Sequence, residues 1–93
     1  MSSGARRDLS LATADAEAFR RLFAGTYVRW EVAGNPATPP AALERLAADQ
    51  DVLVRWWASA HPSTPPAALE RLAADHNANV RRTAKAEAAR RRA

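Results

Sequence analysis

Three groups of side chains could do chemistry, two of them recurring at a fixed spacing. Arg29, Arg55 and Arg81 stand 26 positions apart. Such a row could bind phosphate or carboxylate groups through guanidinium forks. It could equally pair with Asp49, Asp51 and Asp75, acids that recur in neighbouring segments. The pairing is the simpler reading, because a cation that recurs with the repeat belongs first to the scaffold. Trp30 and Trp56 share a second row, with Arg82 third in it, and Trp57 follows Trp56 where Glu31 and Thr83 stand in the other copies. Positions that accept charge in one copy do not face a core, so at least one of Trp56 and Trp57 is expected at the surface. An exposed indole is a good anchor for a partner, since it brings large area at small entropic cost. Alternatively, the indoles cover a small alanine core from the flank. The third group is basic. Residues 79–93 hold Arg81, Arg82, Lys85, Arg90, Arg91 and Arg92 against Glu87 alone, whereas residues 1–78 hold 8 basic and 9 acidic side chains. A basic end can meet nucleic acid or an acidic surface. It also suits the negative end of its own helix dipole.

Catalytic constellations are not found. His61 and His76 are the 2 histidines and there is no cysteine, so neither a thiolate zinc site nor a thiol nucleophile is available. Asp49-Gln50-Asp51 lacks the glycine and the distal glutamate of a calcium loop. The 3 glycines form no phosphate-cradling loop. The expectation is a protein with no reaction, metal or cofactor.

These rows require a repeating scaffold. The segment Asn35-Pro36-Ala37-Thr38-Pro39-Pro40-Ala41-Ala42-Leu43-Glu44-Arg45-Leu46-Ala47-Ala48-Asp49 returns almost unchanged as His61-Pro62-Ser63-Thr64-Pro65-Pro66-Ala67-Ala68-Leu69-Glu70-Arg71-Leu72-Ala73-Ala74-Asp75. Each unit reads as two short helices. Thr38 and Thr64 are predicted N-caps with Pro39 and Pro65 at the first helical position. Leu43, Leu46 and Ala47 then form an apolar stripe, as do Leu69, Leu72 and Ala73. Asp51 and Asn77 are predicted to cap second helices carrying Val54 and Ala58, or Val80 and Ala84. Pro62 ends the first of these. The last helix meets no proline and is predicted to run on, with Glu87 and Arg91 paired at i, i+4. A single 26-residue unit cannot bury its own stripe, so units must stack.

The unit Asn-Pro-x-Thr-Pro-Pro-x-Ala-Leu-x-x-Leu-Ala-x-Asp, followed by an Asp or Asn cap and Val-Arg, resembles the bacterial leucine-rich repeat variant (LRV) family from about Val28 to Ala84. HEAT-type repeats are a neighbouring alternative. The resemblance implies an all-α, right-handed α-solenoid of alternating α and 3₁₀ helices without a sheet. Ala41 and Ala67 stand where family units often carry the glutamate of a capping box. Some relatives carry a cysteine cluster for an iron–sulfur group, which cannot be transferred to a chain without cysteine.

At 93 residues the chain is expected to be one domain. Residues 1–27 form a degenerate repeat or cap around Phe19, Leu22, Phe23 and Tyr27. Residues 28–61 and 62–84 are the repeats, and residues 85–93 are the basic helix end. No apolar run approaches the ~20 residues of a membrane span and no signal peptide is evident, so a cytoplasmic protein is expected. The function expected is a non-catalytic interaction module that holds a protein or peptide through Trp30, Trp56, Trp57 and Arg55. The alternative is nucleic-acid or acidic-partner binding through the six basic residues of the C-terminal helix. A stack this short leaves an apolar end open, and self-association or a partner is expected to cover it.

Overall fold

The computed structural model describes residues 25–93. The expected cap at Phe19, Leu22 and Phe23 lies outside them. Five helices follow one another: α1 Thr26–Gly34, α2 Pro40–Leu46, α3 Val52–Ala60, α4 Pro66–Leu72 and α5 Ala78–Arg92. The described residues contain no strand. α3 is central and packs against the other four helices; α2 touches α1 and α3, and α4 touches α3 and α5.

Local chemistry sets each boundary. Asp51 and Asn77 cap α3 and α5 as their positions predict. Asp51 Oδ1 accepts from Leu53 N and Val54 N at 2.9 and 3.1 Å, and Asn77 Oδ1 accepts from Asn79 N and Val80 N at the same distances. Each cap is positioned by an acid two residues earlier. Asp49 Oδ1 accepts from Asp51 N, and Asp75 Oδ1 from Asn77 N, both at 2.9 Å. These are Asx turns that end the preceding helix and start the next. α3 stops at Ala60 before Pro62, and α5, meeting no proline, runs to Arg92.

Two expectations about the short helices are corrected. Thr38 and Thr64 do not cap α2 and α4. The N-cap residues are Pro39 and Pro65, and neither helix has a side-chain cap. The threonines are buried, and their hydroxyls donate backward to Val32 O and Ala58 O. The carbonyls at a helix C-terminus are left unsatisfied by the helix itself. The threonine therefore secures the end of one helix while the prolines, with φ already restricted, start the next without help. The second correction concerns helix type. α2 and α4 are α-helices of 7 residues each. Turns of 3₁₀ type occur at the α2 C-terminus, where Ala48 N donates to Arg45 O and Asp49 N to Leu46 O.

The core is small. Leu43, Leu46, Ala47, Val54, Ala58, Leu69, Leu72, Val80 and Ala84 are buried as the periodicity predicts, joined by Ala33 and Ala68. Much of it is alanine, so the core needs bulky cover, and Trp30 and Trp56 pack against it half-buried.

Candidate functional site: an aromatic face and two arginine staples

The arginine row is part of the framework. Arg29 Nε donates to Asp49 Oδ2 at 2.6 Å, and Arg55 Nε to Asp75 Oδ2 at 2.8 Å. Each arginine thus reaches an acid 20 residues ahead, in the next inter-helix loop. Arg55 Nη1 also donates to Asp49 O and Gln50 O at 2.8 and 3.1 Å, and Arg81 Nη1 makes the matching bond to Asp75 O at 2.7 Å. Arg55 is only 7% exposed. Arg55 therefore offers a partner nothing: burial and four backbone and carboxylate bonds commit its guanidinium to holding α3 between two loops. Asp75 shows the electrostatic consequence. Burial opposes its charge, but the Asn77 amide and the Arg55 guanidinium outweigh it and hold the carboxyl below its usual range. Asp51 receives the Trp30 indole and also feels the charge of Arg29.

The tryptophans divide. Trp30 Nε1 donates to Asp51 Oδ1 at 2.9 Å, tying α1 to the cap of α3. That bond is the first cause of the lowered Asp51 pKa, with burial opposing it and the Val54 and Leu53 amides adding to it. Trp56 is half-buried at the equivalent place in α3. Trp57 is 39% exposed, and its ring lies in edge-to-face contact with Trp56 at 5.1 Å between centroids. Tyr27, read from sequence as part of a cap, is instead 66% exposed in the first turn of α1, with its ring 6.2 Å from Trp30.

The side-by-side helices α1, α3 and α5 present these residues on one face. Tyr27, Trp30, Glu31 and Gly34 fall at i, i+3, i+4 and i+7 of α1 and so share a side. With Trp57, Asn35 and Pro36 they line an open groove of about 540 Å³ between α1 and α3. A second groove of about 380 Å³ lies between α3 and α5, lined by Val52, Leu53, Trp56 and, from the α5 side, Asn77, Asn79, Val80, Arg82 and Thr83. The Trp56–Trp57 pair is the ridge between them. Leu53 and Val52 add exposed apolar surface to this side. Tyr27, Glu31 and Gly34 belong to the site although their types alone did not mark them. Their helical spacing around Trp30 was the signal.

The six basic residues do not form one face. Arg90 and Arg91 both pair with Glu87, at 2.5 and 3.1 Å. Burial opposes charge on Glu87, but the two arginines win and lower its pKa. Arg91 also donates to Thr64 O, His61 O and Pro62 O, which anchors the end of α5 on the α3–α4 turn. Arg82 Nη1 donates to Asn79 Oδ1 on the aromatic side of the molecule. Lys85, Arg91 and Arg92, with Glu70, line a different groove, floored by Pro66, Leu69, Ala73 and Ala88.

The histidines are structural or surface groups. His61 is buried; its Nδ1 accepts from Ser63 N at 3.0 Å, which places the ring proton on Nε2, 2.8 Å from Asn35 O. Asn35 serves the same turn through its own side chain, accepting from Ala37 N. His76 is exposed beside Arg55 and Asp75. Among the described residues no group of three or more His, Cys, Asp or Glu side chains could hold a metal ion, and no helix is long and apolar enough to cross a membrane.

No curated protein matches the chain, and no solved structure does. The leucine rich repeat variant family model matches residues 28–51, from the start of the Val28-Arg29-Trp30 segment to the Asp51 cap. Over that unit the chain is similar to the leucine rich repeat variant family.

Proposed function

We propose that the chain is a short right-handed α-solenoid, non-catalytic and cytoplasmic, that holds a protein or peptide partner on the face made by α1, α3 and α5. The observation that carries this reading is the exposure of Tyr27, Leu53, Val52 and Trp57 on one side of an otherwise alanine-rich surface. Grouped large apolar side chains on a soluble-sized domain mark interaction surfaces, and the scaffold beneath is rigidly stapled by Arg29 and Arg55. Binding to a preformed face avoids part of the ordering cost of association. The basic end is the weaker candidate, because Glu87 and the turn carbonyls already engage Arg90 and Arg91.

Affinity capture with the wild-type chain and Trp57→Ala as baits tests the reading. The expected result is a partner lost with Trp57→Ala and retained as salt rises from about 50 to about 200 mM, since an indole-anchored complex releases few counterions. A partner that ignores Trp57→Ala, leaves steeply with salt and is lost with Lys85→Ala/Arg92→Ala would move the function to the C-terminal end. The groove bearing Lys85 and Arg92 is also the open apolar end of the stack. Sedimentation decides whether a second copy covers it: a monomer at micromolar concentration rules that out.

A further inference from the structure

The two grooves of the aromatic face differ in charge. Each is built from one helix of a stacked pair and the indole ridge of α3. Among the described residues, the α3–α5 groove contains Arg82 and no carboxylate. Among the described residues, the α1–α3 groove contains Glu31 and no cation, and it is the more aromatic, with Tyr27, Trp30 and Trp57 around it. Glu31 is exposed, so its carboxylate is available at the groove wall. It lies near enough to the Tyr27 hydroxyl to hydrogen-bond it and push the phenol above its usual range. Trp57 forms the opposite wall, its ring lying directly over Gly34, where the absence of a Cβ lets the indole sit close to α1.

We propose that the α1–α3 groove takes an arginine side chain of the partner peptide, stacked on the exposed indole of Trp57 and facing the Glu31 carboxylate. This rests on the aromatic-face reading and adds the chemistry of its occupant. Aromatic faces attract cations through their negative quadrupole. A carboxylate at the rim adds a charge-assisted partner for a guanidinium fork. The groove is open, so the bound cation stays partly in water. That favours arginine over lysine, because guanidinium is planar, stacks on rings and is more weakly hydrated than ammonium. The sister groove, with Arg82 on its α5 wall, repels the same ligand and orients the peptide along the face.

The test uses the full chain, labelled so that the three indole N–H signals are resolved by NMR, and four blocked pentapeptides that differ only at the central residue. The centres are arginine, lysine, citrulline and leucine. The arginine peptide is expected to shift the Trp57 and Trp30 signals, with the citrulline and leucine peptides about tenfold weaker and the lysine peptide in between. Glu31→Gln, a change at an exposed position that leaves the packing intact, is expected to weaken the arginine peptide about fivefold and leave the leucine peptide unchanged. Trp57→Ala is expected to abolish the preference. Equal binding of leucine or citrulline and arginine peptides overturns the arginine assignment while the aromatic face keeps its role. An arginine peptide that moves only the Trp56 signal, or moves no indole at millimolar concentration, overturns it as well. If no peptide moves any indole, the aromatic-face reading falls with it.

Discussion

Arg55 shows how a residue type can suggest binding while its surroundings assign it to the framework. Its side chain is 9% exposed and that of Asp75 is 8%, so removing one partner leaves the other charged and dry. Breaking such a pair costs about 3–5 kcal/mol. Arg55→Ala is therefore expected to lower the urea midpoint to the edge of folding. Arg55→Lys should recover less than half of the loss, because an ammonium cannot serve Asp75 and the carbonyls of Asp49 and Gln50 together. Equal midpoints for wild type and Arg55→Ala would contradict the staple. Gly34 carries a second prediction at this scale. A Cβ there would lie 3.2 Å from Trp57 Cε3 and 3.4 Å from Cδ2 and Cζ3. Trp57 is partly exposed and can tilt outward by the few tenths of an ångström required. Gly34→Ala should therefore change stability by no more than about 0.5 kcal/mol yet shift the Trp57 indole signal, and a large loss of stability would show that the ring cannot move.

At the level of elements, the caps and the end of α5 were legible in the sequence because they depend on neighbours along the chain. Asp51, Asn77, Pro62 and the Glu87–Arg91 spacing each act within a few residues. The roles of Thr38 and Thr64 were misread for the opposite reason. Thr64 Oγ1 bonds to Ala58 O, six residues back across the Pro62 turn, and only the folded turn brings them together. The docking of α5 was likewise hidden: Arg91 reaches carbonyls 27 to 30 residues away. Asn77→Ala should cost about 1 kcal/mol, as for an ordinary cap. Asp51→Ala should cost more, since it releases the Trp30 indole as well as two amides, and the reverse order of the two unfolding midpoints would refute that link. Glu87→Ala should free Arg90, leave Arg91 held only by the turn carbonyls, and loosen the last two turns of α5. Faster amide exchange confined to residues after Ala84 is the expected signature.

Across the whole molecule, the rows at 26-residue spacing made an all-helical fold legible, but not which side of it would be aromatic and exposed. That depends on how Trp57 seats over Gly34 and how Tyr27 turns on Trp30, contacts between units that no single repeat contains. The same inter-unit logic gives the molecule a collective response to acid. Asp51 joins α1 to α3 through Trp30, Asp75 joins α3 to the loop before α5, and Glu87 joins α5 to the turn before α4 through Arg91. All three carboxyls titrate below their usual values in the folded chain. The unfolded chain therefore binds protons first, at the ordinary carboxyl pKa near 4. The stability these groups contribute is fully present above that value and declines as pH falls toward the lower folded pKa values. The contribution of these three carboxyls to the melting temperature should be constant from about pH 7 to about pH 5 and decline steadily below about pH 4. Asp75→Asn should start lower at neutral pH and show a shallower acid decline, because its proton uptake is gone. The transition should appear at the same pH in tryptophan fluorescence and in helix content, since the three carboxylates tie successive helices into one unit. An acid slope unchanged by Asp75→Asn would mean that the Arg55–Asp75 staple does not contribute to the acid response.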